Sequence, residues 1–154
     1  MIEILPVVMA FFGTLGFSMY YNINIRISLI NSFCSMAGYF IYVILIEKTG
    51  SLFWSNFWVA VLISFFCEIV ARSHKVPTTL LLVPMLFPEI PGGELYNTVW
   101  NLFVGDMAAS SVHAVRLAID IAALNLGIVL VNTVVKIYSN ISARLRYGHY
   151  EGYR

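Results

Sequence analysis

Asp120 lies about a third of the way along an apolar stretch that runs from Val112 to Tyr138. An ionisable group at that depth in a membrane-grade segment is costly and usually faces a partner or a water-filled cavity. Two roles suit it. It pairs with Arg116, one helical turn earlier, or it is an acid that carries a proton or holds a substrate ammonium. A second polar pair, Glu68 and Arg72, is spaced four apart, so the two meet along one helix face. That pair is either a surface pair snorkelling at the membrane or a gate at its cytoplasmic mouth. The third candidate is backbone. Pro84, Pro88 and Pro91 each remove an amide donor, and Gly92-Gly93 permits backbone angles that other residues avoid. Helix ends freed by such a break offer unpaired N–H and C=O groups, which is how discontinuous helices hold substrates in transporters.

Bond-making chemistry has weaker candidates. The only aspartates, Asp106 and Asp120, are fourteen residues apart, and nothing in the sequence brings them together as a protease pair. No Ser/His or Cys/His arrangement is better, so the chain reads as a non-enzyme. Cys34 and Cys67 fall inside apolar runs and read as small buried hydrophobes. Without a C-x-x-C or a His/Cys cluster, neither metal nor cofactor is expected.

The elements that must position these residues are membrane helices. Hydrophobic residues make up 60% of the 154 and charged residues 11%, against about 25% charged in soluble domains. A net charge of +1 gives no reason to expect a nucleic-acid partner. The pattern predicts an all-α transmembrane bundle of five spans, over residues 1–138, with a polar cytoplasmic tail over 139–154. Helix 1 is expected from Ile4 to Tyr21 and is retained, because no Lys or Arg precedes it as a secretory signal requires. Its Gly13 and Gly16 suit close helix contact. Helix 2 is expected from Ile27 to Ile46, where Asn31, Ser35 and Gly38 share a face that should meet protein. Helix 3 runs from Leu52 to Ala71, with Trp54 and Trp58 as interfacial anchors.

The fourth span is expected to be broken between Pro84 and Gly93. The apolar run from Pro77 and the run from Glu94 to Val104 are each about half of the roughly 20 residues that a spanning helix needs. Gly105 to Ser111 reads as a polar connector, and the last helix as Val112 to Tyr138. On it His113, Arg116, Asp120, Ala123 and Gly127 line one face, while Ala118, Ala122, Asn125 and Asn132 line another.

The run Ala71-Arg72, Lys75-Val76-Pro77-Thr78-Thr79, followed by Pro88-x-x-Pro91-Gly92-Gly93-x-x-Tyr96, resembles the signature region of the threonine/serine exporter family. More closely, it is similar to the small membrane subunit, the C-terminal half of the fused exporters. The family tends to carry apolar residues where this chain has Glu89. The resemblance implies a two-component secondary exporter in a bacterial cytoplasmic membrane. It would move small hydroxy amino acids or small dicarboxylates, driven by an ion gradient, with a larger membrane subunit as partner. A non-transporting scaffold or assembly subunit is the alternative. Substrate is expected against Pro88, Pro91, Gly92, Gly93, Glu94 and Tyr96. Asp120, Arg116, Glu68, Arg72 and Asn125 are the polar or coupling candidates. Glu89 and Glu94 would oppose an anionic ligand, or else cap the free amides or hold an ammonium group.

Basic residues set the orientation. With five spans, seven of the nine, including Arg26, Arg72, Lys75 and Arg144, fall on one side; Lys48 and Arg116 fall on the other. The N-terminus is therefore expected outside and the C-terminus in the cytoplasm. A cysteine introduced at Ser51 is expected to react with an impermeant thiol reagent from outside, and one at Ser139 only after the membrane is opened; the reverse pattern inverts the topology.

Overall fold

The computed structural model describes residues 4–148, and side-chain surroundings over residues 4–141. The described chain is all-helical: α1 (Ile4–Tyr20), α2 (Ile25–Thr49), α3 (Leu52–His74), α4 (Thr78–Leu86), α5 (Gly92–Val104) and α6 (Met107–Gly148). A single 3-10 turn, Phe87–Glu89, joins α4 to the segment before α5. Three helices, α2, α3 and the part of α6 up to Ile141, are long and apolar enough to cross a membrane. The 17 residues of α1 and the stretch Thr78–Glu89 are apolar but shorter.

Side-chain pattern explains how they pack. The buried positions of α2 are Ile27, Ser28, Asn31, Ser32, Ser35 and Gly38, one face at steps of three and four. This is the face expected to meet protein. Its partner on α3 is an apolar stripe including Val59, Ile63 and Cys67, all fully or almost fully buried. Gly38 lets the two helices close, since a Cβ there would stand 2.8 Å from Ile63 Cδ1. On α1 the tight side is Ala10, Thr14 and Ser18. Gly16 faces open space, while a Cβ on Gly13 would stand 3.9 Å from Phe87 Cδ1, so of the expected pair Gly13 alone lies at a contact, beside the tight side. Hydroxyls fill it: Thr14 Oγ1 donates to Ser35 Oγ at 2.8 Å.

Direction follows from three contacts. Asn56 meets Asp120, Ala60 meets Gly127, and the Glu68–Arg72 turn lies beside Val134 and Tyr138. Both series ascend, so α3 and α6 run parallel. Asn31 and Ser35 likewise meet Leu81 and Met85, so α2 and α4 run parallel. Between two parallel helices the chain must return, and Thr78 to Val104 makes that return.

Two expected boundaries are corrected. Pro84 does not end its helix: α4 continues through it to Leu86, and the Phe87 N–H bonds to the Pro84 carbonyl. The non-helical stretch is therefore shorter than expected. The connector after α5 is also shorter than Gly105 to Ser111. Gly105 caps α5 at φ 87°, and the Asp106 carboxylate accepts the Ala109 N–H at 2.9 Å. That cap starts α6 at Met107. The helix then runs unbroken past Tyr138, because no Pro or Gly interrupts 128–147. At 42 residues it is about 63 Å long, about twice the hydrocarbon thickness of a bilayer. Residues 149–154 of the expected tail lie outside the described residues.

Gly127 sets the α3–α6 spacing. A Cβ there would lie 2.7 Å from Ala60 Cβ and 2.8 Å from the Phe57 carbonyl oxygen. Backbone cannot yield cheaply, so Gly127→Val is expected to destabilise the bundle by about 1–3 kcal/mol. A lowered thermal midpoint in detergent would show this; an unchanged midpoint would mean that the two helices are free to separate.

Candidate functional site

Where α4 gives way to the 3-10 turn, the backbone leaves the helical path for five residues. Ile90 is extended, and Pro91 stands at the N-cap of α5 without a side chain that can cap it. The Gly92 N–H turns back to the Ile90 carbonyl at 2.7 Å, and the first bond of the new helix is Leu95 N–H to Pro91 carbonyl at 3.1 Å. The amides of Gly93 and Glu94 have no acceptor among the described residues. They are the orphan donors that every helix start leaves, and they carry the partial positive charge of the helix dipole.

These amides border a cavity of about 270 Å³. Its wall on one side is the break itself, Pro88 to Glu94, with Asn97 one turn into α5. Opposite stand Tyr39 and Tyr42 of α2, Leu52 and Asn56 of α3, and Asp120 of α6. A Cβ on Gly92 or Gly93 would meet nothing within 4 Å. Neither glycine has a positive φ. Backbone conformation therefore does not demand glycine at these two positions, and their missing side chains leave cavity space.

The polar groups of the wall are partly engaged with one another. Asp120 is buried and accepts a 2.7 Å hydrogen bond from Asn56 Nδ2, a link between α3 and α6. Glu94 Oε2 lies 2.6 Å from His113 Nδ1, which ties α5 to α6. Glu89 is 5% exposed, and its Oε1 has no hydrogen-bond partner among the described residues. Neither lysine nor arginine lines the cavity.

The fold brings together Pro88, Pro91, Gly92, Gly93, Glu94 and Asp120 of the expected site. It leaves others out. Tyr96 is 64% exposed, stacks on Trp100 with ring centroids 6.3 Å apart, and does not line the cavity. Arg116 is exposed and has no partner among the described residues, so the expected Arg116–Asp120 pair is replaced by Asn56–Asp120. Asn125 is exposed and donates to the Ile121 carbonyl of its own helix at 2.8 Å. Glu68 and Arg72 do pair, at 2.9 Å, but further along α3 and outside the cavity wall. There Glu68 also accepts from Thr78 Oγ1 at 2.8 Å, tying α3 to the start of α4.

Tyr39, Tyr42, Asn56, Glu89 and Asn97 are lining residues that the motif reading passed over. A signal existed for Asn56. It falls in phase with Val59, Ala60 and Ile63 on the buried stripe of α3, and an amide on such a stripe must find a partner. Tyr39 and Tyr42 carry no such mark, because aromatic residues are common throughout this chain.

A family model described as Threonine/Serine exporter, ThrE, matches residues 6–134, most of the chain and all of the cavity. The chain belongs to the threonine/serine exporter family. It is thus a membrane protein of transporter type, as its apolar helices require. No curated protein and no solved structure matches it.

In this exporter-family chain the Asn56–Asp120 bond joins two helices beside the cavity. Asn56→Ala removes the donor and leaves a buried carboxylate unsatisfied, at a cost of about 1–3 kcal/mol. A drop in thermal midpoint of the detergent-solubilised protein is expected. Asp120→Asn should recover part of that loss in the double variant; no recovery would mean that the bond does not hold the helices.

Proposed function

We propose that the chain is one subunit of a two-component secondary exporter. Its solutes are small hydroxy amino acids such as threonine and serine, or small dicarboxylates, and an ion gradient drives their movement. The observation that carries this is the cavity beside the break, where two unpartnered amides and the open space over Gly92 and Gly93 stand opposite Asp120. A solute carboxylate lies against the start of α5, where N–H groups and the helix dipole receive it. Glycine lets the ligand approach the backbone closely. The volume, about 270 Å³, is below the roughly 300–1,000 Å³ of sites for drug-sized ligands, so it suits a metabolite.

The two short helices are the halves of one crossing. Parallel α3 and α6 need a return path, and α4 with α5 provides it around an irregular segment that borders a cavity, where such backbone is tolerated at membrane depth. With α1 and the three long helices this makes five crossings, N-terminus out and C-terminus in, in a bacterial cytoplasmic membrane. The partner is a larger membrane subunit of the same family. Support for a partner comes from α5, none of whose residues is buried and which packs chiefly on α6. Leu95, Tyr96, Trp100 and Phe103 are more than half exposed along it. The same exposure favours a second reading, an assembly subunit that does not itself hold solute.

Transport in proteoliposomes carrying both subunits separates the two. Gly93→Val is expected to abolish export of labelled threonine while leaving membrane insertion and assembly intact, because its side chain enters open space instead of a packed contact. Asp120→Glu is expected to keep activity that Asp120→Asn loses. Unchanged rates in both Gly93→Val and Asp120→Asn would leave the assembly role as the function.

A further inference from the structure

Three carboxylates line the cavity, and two of them are engaged. Asp120 accepts from Asn56, and Glu94 is paired with His113. The third, Glu89 at the end of the 3-10 turn, is 95% buried, and its Oε1 has no donor among the described residues. The other polar groups facing the same space are Tyr39 and Tyr42 of α2 and Asn97 of α5. No lysine or arginine is there to compensate it. A buried carboxylate oxygen without a donor is unfavourable, and buried polar atoms in native proteins are almost always paired. A compact cationic donor arriving from the cavity would meet that need.

We infer that Glu89 holds the ammonium group of the solute while the first amides of α5 receive its carboxylate, so that the cavity accepts α-amino zwitterions and rejects dicarboxylates. This rests on the cavity being the substrate site, as proposed above. Glu89 and the amides of Gly93 and Glu94 lie a few residues apart in the chain, on opposite sides of Pro91, and they border one cavity. An α-amino acid presents its two charges in that arrangement, on adjacent carbons. Its ammonium makes a charge-assisted hydrogen bond to Glu89, roughly twice as strong as a neutral one. A dicarboxylate has one end for the α5 amides, but the other end meets Glu89, Glu94 and Asp120 with no cation to receive it. A hydroxy acid without an amine satisfies the amides and leaves Glu89 unpaired. Glu89 thus sets specificity by what it repels as well as by what it binds.

Equilibrium binding to the two-subunit complex in lipid nanodiscs, with the variants made in this chain, tests this with three probes: threonine, 3-hydroxybutyrate, which is threonine's skeleton without the amine, and succinate. Wild type is expected to bind threonine and neither of the others. Glu89→Gln should weaken threonine at least about tenfold and bring 3-hydroxybutyrate to comparable affinity. Glu89→Asp, which keeps the charge at shorter reach, should bind threonine less tightly than wild type and still reject succinate. This second variant keeps the test open if the first does not fold. Threonine bound equally well by wild type and Glu89→Gln overturns the inference, as does wild type that binds succinate as tightly as threonine. Failure of the site itself reads differently: threonine binding that survives Gly93→Val, or wild type that binds no probe, rejects the cavity and this inference with it.

Discussion

Backbone hydrogen bonding around the break governs the rest of the structure. In hydrocarbon there is no water to satisfy a free carbonyl or amide, so each must be met by protein or face a cavity. Pro84 and Pro88 remove two donors from the α4 ladder and its exit. The polar face of α2 brings side-chain donors to other carbonyls of the same short helix. Asn31 Nδ2 donates to the Leu81 carbonyl at 3.2 Å, and Ser35 Oγ to the Met85 carbonyl at 2.8 Å. Thr14 of α1 then donates to Ser35, so the chain of bonds reaches from the first helix to the fourth. These buried hydroxyls and the amide explain why so apolar a protein spends its most buried α2 positions on Ser and Asn.

The cavity is the complement of that arrangement. Carbonyls on the α4 side of the break are met by α2. Amides on the α5 side are not, and they face open space. Phe87, in the 3-10 turn, stacks on Phe17 of α1 with centroids 4.0 Å apart, which fixes where the break lies against the bundle. From the other direction, Gly127 lets α6 approach α3 closely enough for Asn56 to reach Asp120. An acid, two free amides and an unpaired carboxylate are thereby gathered around one small volume by contacts among every helix of the bundle.

Helix α5 is held more lightly. Its ties are Glu94 to His113 and Ser110 Oγ to the Thr98 carbonyl at 2.9 Å, both to α6. The α5 part of the cavity wall therefore belongs to an element that packs chiefly on α6 and has no buried residue. Motion of such an element would open or close the site without disturbing the α2–α4 bonds, and low local packing is where proteins place their moving parts.

Much of this was legible in the sequence. Proline and glycine act through local backbone chemistry, so the change from helix to irregular chain before Gly92 follows from residue type alone. The shared face of Asn31, Ser35 and Gly38 follows from helical periodicity, and the membrane setting from composition. The exact extent of the break did not follow, because α4 runs on through Pro84 in a stretch that α2 packs against and bonds at the Leu81 and Met85 carbonyls. The start of α6 depended on whether Asp106 would cap it or stay in a loop. Asp120 was recognisable as a buried acid, but Arg116 at helical spacing was as good a partner on paper as Asn56, sixty-four residues away. Only the packing of α3 on α6 decided between them, since which side of a helix is covered depends on the neighbour and not on the helix. The same holds for Glu89. Its sequence surroundings mark a turn, and turns are ordinarily solvated; its burial, and so its missing donor, came from the helices that close over it.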